Sequence, residues 1–122
     1  MKNNSTLKKV QYNDAVAASK EYFGGDELAA TVWVSKYALK DSAGNLYESS
    51  PEQMHYRLAK ELARIEEKYG EALSEQEIFD LLDHFRYIIP QGGPMTGIGN
   101  NLQVASLSNC FVIGHKKPAD SY

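Results

Sequence analysis

Cysteine is nearly absent. The one thiol, Cys110, can form neither an internal disulfide nor a CxxC metal site, which excludes a disulfide-framework fold. Histidine is scarce and scattered, at His55, His84 and His115, so zinc has no visible ligand set and no metal site is expected. Positive charge is not in excess: 13 Lys and Arg stand against 16 Asp and Glu, a formal net charge of -3 over 122 residues. The basic residues are dispersed, which gives no broad electrostatic footprint for nucleic acid. No apolar run approaches the ~18 residues of a membrane span. The opening residues, MKNNSTLKK, lack the apolar stretch of a signal peptide. These absences suit the cytoplasm, where a thiol stays reduced. What remains, 43% hydrophobic and 24% charged residues, is the ordinary composition of one globular domain.

A second absence divides the chain. Of the 29 Asp, Glu, Lys and Arg residues, 26 precede Pro90, and residues 90–114 hold none. The same 25 residues contain five of the nine glycines and two of the four prolines. Such a run is too glycine-rich for a membrane helix, and its end is too apolar for a flexible linker. It reads as a loop followed by a strand buried on both faces.

Ahead of that boundary the pattern is helical. Residues 1–12 read as a polar, frayed tail. Asn13 is placed to cap a short helix that ends near Phe23, with Gly24-Gly25 as the stop. Asp26 can cap a second helix whose apolar positions include Leu28, Val32 and Leu39, with Ala29, Trp33 and Tyr37 alongside. Ser-Ala-Gly-Asn within residues 40–49 marks a turn or small hairpin. Ser50-Pro51-Glu52-Gln53 reads as a capped helix start with a capping box. Met54, Leu58, Leu62, Ile65 and Tyr69 then form a buried stripe, and Gly70 ends the helix. Ser74-Glu75-Gln76-Glu77 is a second capping box, opening a helix whose Ile78, Leu81, Leu82 and Phe85 face a core.

Few of these residues point to chemistry by themselves. Glu61, Glu66 and Glu67 are explained by a solvated helix face. His55 and His84 sit beside apolar positions and read as satisfied surface or boundary residues. Trp33 and Tyr37 follow core spacing. Gly97-Ile98-Gly99 lacks the third glycine and the βαβ setting of a dinucleotide loop. The segment Pro90-Gln91-Gly92-Gly93-Pro94-Met95-Thr96-Gly97 has two readings that stand side by side. Its glycines let a backbone approach a ligand closely, or they make a tight connection between packed layers. Cys110, within Leu107-Ser108-Asn109-Cys110-Phe111-Val112-Ile113, reads on residue type alone as an inert small hydrophobe.

Several stretches together resemble the start of a ribonucleotide reductase catalytic subunit. They are Phe23-Gly24-Gly25-Asp26-Glu27-Leu28-Ala29-Ala30, Val32-Trp33 and Lys36-Tyr37-Ala38-Leu39. Ser50-Pro51-Glu52-Gln53-Met54-His55 and Ala63-Arg64-Ile65-Glu66 continue the likeness. It is most specific in Tyr87-Ile88-Ile89-Pro90-Gln91-Gly92-Gly93-Pro94-Met95-Thr96-Gly97-Ile98-Gly99-Asn100, and it runs on through the Ser-Asn-Cys stretch to Gly114. The wording is most similar to the adenosylcobalamin-dependent (class II) enzymes, and class I large subunits share the general plan.

The resemblance implies a mainly α fold: a helical N-terminal domain leading into the first strand of a ten-stranded α/β barrel. It divides the chain into a flexible tail (1–12), the helical domain (13–89), and a substrate-side loop with the first barrel strand (90–122). It implies reduction of ribonucleotides to deoxyribonucleotides by radical chemistry, as in a ribonucleoside-diphosphate reductase. Cys110 matches one of the two redox-active thiols that reduce the 2′ carbon and end as a disulfide. Ser108 and Asn109 match the substrate-binding end of the strand, and Gly92, Gly93 and Thr96 lie in the loop that borders the nucleotide. The implied cofactor is adenosylcobalamin, held mainly by sequence outside this chain. The implied partners are the remainder of the barrel, the ribonucleotide and a thioredoxin-type reductant. The thiyl-radical cysteine, the second redox cysteine and the catalytic Asn and Glu have no counterpart here. The chain is therefore expected to be an N-terminal fragment, inactive alone. The competing expectation is a small helical interaction module without catalysis.

Overall fold

In the computed structural model, which describes residues 7–108 and 110–114, the chain is mainly α. Helix α1 spans Tyr12–Tyr22, α2 Glu27–Lys36, α3 Pro51–Glu66 and α4 Glu75–Leu82. A 3-10 turn, Asp83–Phe85, follows, and then a short helix α5, Gly92–Gly97. Among the described residues there is no β-strand, only two isolated antiparallel bridges, Val10 to Leu46 and Lys40 to Leu46. Helix α1 packs on α2 and α3 on α4, with α1 also meeting α3.

Helix α1 starts one residue before Asn13. Its N-cap is Gln11, whose side chain makes no capping bond. The chain then leaves at Phe23 through Gly24 and Gly25, at φ +64° and +99°, a left-handed path that glycine takes without steric cost. Asp26 caps α2 as expected, its Oδ1 accepting from Ala29 N–H at 2.9 Å. The buried face of α2 is Ala30, Trp33 and Val34, not the stripe read from Leu28 and Val32. Leu28 is 75% exposed. Apolar residues occur all round this helix, so periodicity alone does not select a face. Leu39 is buried, but α2 has already ended at Lys36.

The turn after α2 is held by one carboxylate. Asp41 accepts from Asn45 Nδ2 (2.7 Å), Asn45 N–H (2.9 Å), Tyr47 OH (2.9 Å) and Ala43 N–H (3.0 Å). These bonds, led by those from Asn45, hold its pKa down at about 2. Leu46 is thereby delivered to the core and pairs with Val10, so the end of the stretch read as a tail is docked.

At α3, Pro51 occupies the first turn, but Ser50 makes no side-chain cap. The reciprocal role falls one residue earlier, where Gln53 Oε1 accepts from Ser49 N–H (2.8 Å) and Ser49 Oγ (3.2 Å). Met54, Leu58 and Ala59 are fully buried, while Leu62 packs at the edge of the core. Tyr69 is 65% exposed, because α3 ends at Glu66, before Gly70. The second capping box forms in both directions, Glu77 N–H to Ser74 Oγ (3.2 Å) and Ser74 N–H to Glu77 Oε2 (2.8 Å). Ile78, Phe79 and Leu82 close the core over α3.

Residues 104–108 and 110–114 do not form the buried strand expected of them. Val104, Phe111, Val112 and Ile113 are largely solvent-exposed. A strand needs a neighbour to accept its backbone hydrogen bonds and cover its faces, and none lies beside this run among the described residues.

Candidate functional site

The glycine-rich segment is a helix rather than a loop. Gly92, Gly93 and Thr96 share one turn of α5, and Thr96 Oγ1 donates back to Gly92 O (3.0 Å) and Gly93 O (3.2 Å). The hydroxyl is thus engaged by its own helix. Gly92 is bare for a local reason: a Cβ there would come within 3.2 Å of Tyr37 Cε1. A tight connection is what this glycine serves in the folded chain. Met95 anchors α5 in the core.

The C-terminal end of α5 is held by two residues that sequence reasoning passed over. Arg57 lies on α3, a helix whose charged residues mostly face solvent, yet its side chain is only 10% exposed and that of Glu48 only 6%. Arg57 Nε donates to Glu48 Oε1 at 2.6 Å, and its Nη2 to Glu48 Oε2 at 3.3 Å. The same guanidinium donates to Met95 O at 2.8 Å and to Ile98 O. Glu48 Oε2 in turn accepts from Leu39 N–H at 2.9 Å. The pair is nearly dry, so its attraction is strong, but so is the cost of leaving either charge alone. The available signal was positional. Arg57 adjoins Leu58 in the buried stripe, and Glu48 follows the core residue Leu46 by two.

Beyond α5, Gly99 turns at φ +70°, and a Cβ there would meet Arg57 Cγ at 2.8 Å. Asn100 then shapes the exit. Its Nδ2 donates to Thr96 O (3.1 Å), and its Oδ1 accepts from Leu102 N–H (2.9 Å) and Gln103 N–H (3.2 Å). The chain folds back so that a Cβ on Gly97 would lie 2.8 Å from Leu107 Cδ2. Ser108 is exposed, its N–H donating to Ser106 Oγ at 3.2 Å. Cys110 is an exposed free thiol, not a buried hydrophobe, so another thiol can reach it. Asn109 lies outside the described residues. The structure therefore gathers Gly92, Gly93 and Thr96 on α5, and sets Ser108 and Cys110 on the exposed run that α5 launches.

A second polar group lies between α1, α3 and the 3-10 turn. His55, read as a surface or boundary residue, is completely buried. Its Nδ1 lies 3.5 Å from Asp83 Oδ1 and 3.4 Å from Tyr22 OH, and its Nε2 has no partner among the described residues. Tyr22 OH donates to Asp83 Oδ1 (2.9 Å) and accepts from His84 N–H (2.6 Å). Burial pushes the His55 pKa down, against the pull of Asp83. Burial, helped by Asp83, pushes that of Tyr22 up. His84 and Phe85 are both left-handed at φ 52°, a costly conformation for side-chain-bearing residues. Tyr22 stacks on His84 with ring centroids 4.6 Å apart.

An apolar cavity of about 240 Å³ opens between Phe23, Val32, Trp33, Tyr37, Phe85 and Met95. Among the described residues no cluster of His, Cys, Asp or Glu could hold a metal ion. Nor is any of their helices long and apolar enough to cross a membrane.

The geometry defines a capped helical domain that carries a glycine-rich helix and, beyond it, an exposed run bearing one thiol. Residues 23–94, more than half of the chain, match the family described as ribonucleotide reductase, all-alpha domain, and the chain belongs to that family. Neither a curated protein nor a solved structure matches it. The matched stretch takes in Gly92 and Gly93 and ends at Pro94, ahead of Thr96, Ser108 and Cys110.

Proposed function

We propose that this chain is the substrate-side N-terminal portion of a ribonucleotide reductase catalytic subunit of the adenosylcobalamin-dependent type. The observation that carries the reading is order along the chain. The all-alpha domain match ends within a glycine-rich helix, and 16 residues later comes an accessible thiol in a Ser-Asn-Cys stretch. In this reading Cys110 is one of two thiols that supply the reducing equivalents. The C2′–O bond breaks and the oxygen leaves as water, one thiol hydrogen going into that water and the other ending on the 2′ carbon. The two thiols, oxidised by two electrons, become one disulfide, and a thioredoxin-type dithiol restores them by exchange. Ser108, Asn109, Gly92, Gly93 and Thr96 line the nucleotide when the rest of the barrel is in place.

Adenosylcobalamin would supply the radical chemistry. The described residues do not fit it: the cavity is small and walled by apolar side chains, and no ligand cluster faces it. Its binding belongs to the remainder of the barrel, and no step is assigned to this chain through it.

The test is deoxynucleotide formation by the chain assembled with the rest of the barrel. Cys110→Ser keeps size and polarity but cannot form a disulfide. It is expected to abolish turnover while nucleotide affinity stays near that of the parent. Sustained turnover by Cys110→Ser would show Cys110 to be a bystander. Activity that does not depend on added adenosylcobalamin would remove the class II part alone.

A further inference from the structure

The Arg57–Glu48 pair does more than fill a helix interface. An isolated buried ion pair is weak support for stability, and apolar residues of similar volume often serve as well. Here the guanidinium has further partners besides the carboxylate. It donates to the carbonyls of Met95 and Ile98, which belong to the last turn and the C-cap of α5. Carbonyls at the end of a helix lack intrahelical donors and sit at its negative pole, so a cation there meets both needs. The planar fork of arginine can hold a carboxylate and these carbonyls together, whereas a lysine ammonium cannot span them.

The far side of the contact is shaped to match. Gly99 lies against the aliphatic stem of Arg57, so closely that a Cβ would come within 2.8 Å of Cγ and 3.3 Å of the Arg57 carbonyl oxygen. Its φ of +70° turns the chain out of α5 toward Asn100. Everything downstream, including Ser108 and Cys110, leaves α5 in the direction set at this point. Glu48 is itself fixed by Leu39 N–H, so α3 and the turn between α2 and α3 converge on the exit of α5.

We propose that Arg57, oriented by Glu48, is a positioning residue. It fixes the C-terminal end of α5, and with it the path of the segment that presents Ser108 and Cys110 to the nucleotide. The proposal rests on the reductase reading above. It assigns Arg57 no contact with substrate.

Arg57→Lys keeps the charge opposite Glu48 and gives up the fork. Gly99→Ala disturbs the same contact from the α5 side and leaves both charges in place. In the reductase assembled from this chain and the rest of the barrel, each variant is expected to raise KM for the ribonucleotide by roughly ten-fold, the scale of a displacement well under 1 Å. A loss of folded enzyme alone would lower kcat and leave KM in place. The double variant is expected to be no worse than the poorer single one, since both break one contact. Unchanged KM in both single variants, or effects that multiply in the double one, would overturn the proposal. Amide exchange on the 122-residue chain gives an independent reading. In Arg57→Lys the amides of Ile98 and Asn100 are expected to exchange faster while those of α1 keep their rates. If exchange there is unaltered, the positioning role fails whatever the enzyme does. If the parent assembly makes no deoxynucleotide yet the exchange changes as expected, the clamp stands and the reductase reading falls.

Discussion

His55 shows how much depends on one side chain's surroundings. Its ring is completely buried with Nε2 unpartnered among the described residues, and burial holds its pKa below the usual histidine value, against the pull of Asp83. The unfolded chain takes up a proton near pH 6.5, while the folded chain resists until lower pH. Between those two points the unfolded state binds more protons, so stability falls as pH falls and is fully present above the unfolded value. The expected outcome is a urea midpoint that drops from pH 7.5 toward pH 5, with His55→Gln removing much of that drop. An equal drop in the variant would assign it to other groups. The sequence did not display this site. His55 stands between Met54 and Tyr56 on an amphipathic helix, and its neighbours Tyr22 and Asp83 are distant in the chain.

The helices show which local signals suffice. Ser74 and Glu77 satisfy each other's backbone neighbours as their spacing requires, whereas Ser50 shares the pattern and makes no such bond. Ser74→Ala is therefore expected to cost about 1 kcal/mol, and Ser50→Ala much less. Paired thermal melts check the contrast, and equal losses would contradict it. The helix order, the caps at Asp26 and Ser74 and the core positions Met54, Leu58, Ile78 and Leu82 were legible because each depends on residues within one or two turns. Glu48, Arg57 and the helical state of Gly92–Gly97 were not. A pair nine residues apart along the chain, and a glycine helix anchored by Met95 and a distant guanidinium, are fixed by tertiary packing rather than by propensity. Only the resemblance suggests a role for Cys110. Its neighbours suggested burial, and the structure exposes it.

For the whole molecule, the exposed run past α5 carries a cost. Val104, Phe111, Val112 and Ile113 present apolar surface with no strand partner among the described residues, a combination that promotes association. The isolated chain is expected to sediment as larger species with rising concentration, and Val112→Lys to shift it toward monomer. A single species of monomer mass at every concentration would count against this. Trp33 offers a way to follow the helical core separately from that run. It is the chain's one tryptophan, 2% exposed, with its indole N–H directed at the Met54 sulfur 3.4 Å away. Light absorbed at the red edge of the protein spectrum therefore enters at a single point, the seam between α2 and α3. Emission from that point reports whether the two helices remain joined. The molecule thus carries its own optical gauge of the helical core, set apart from the exposed run beyond α5.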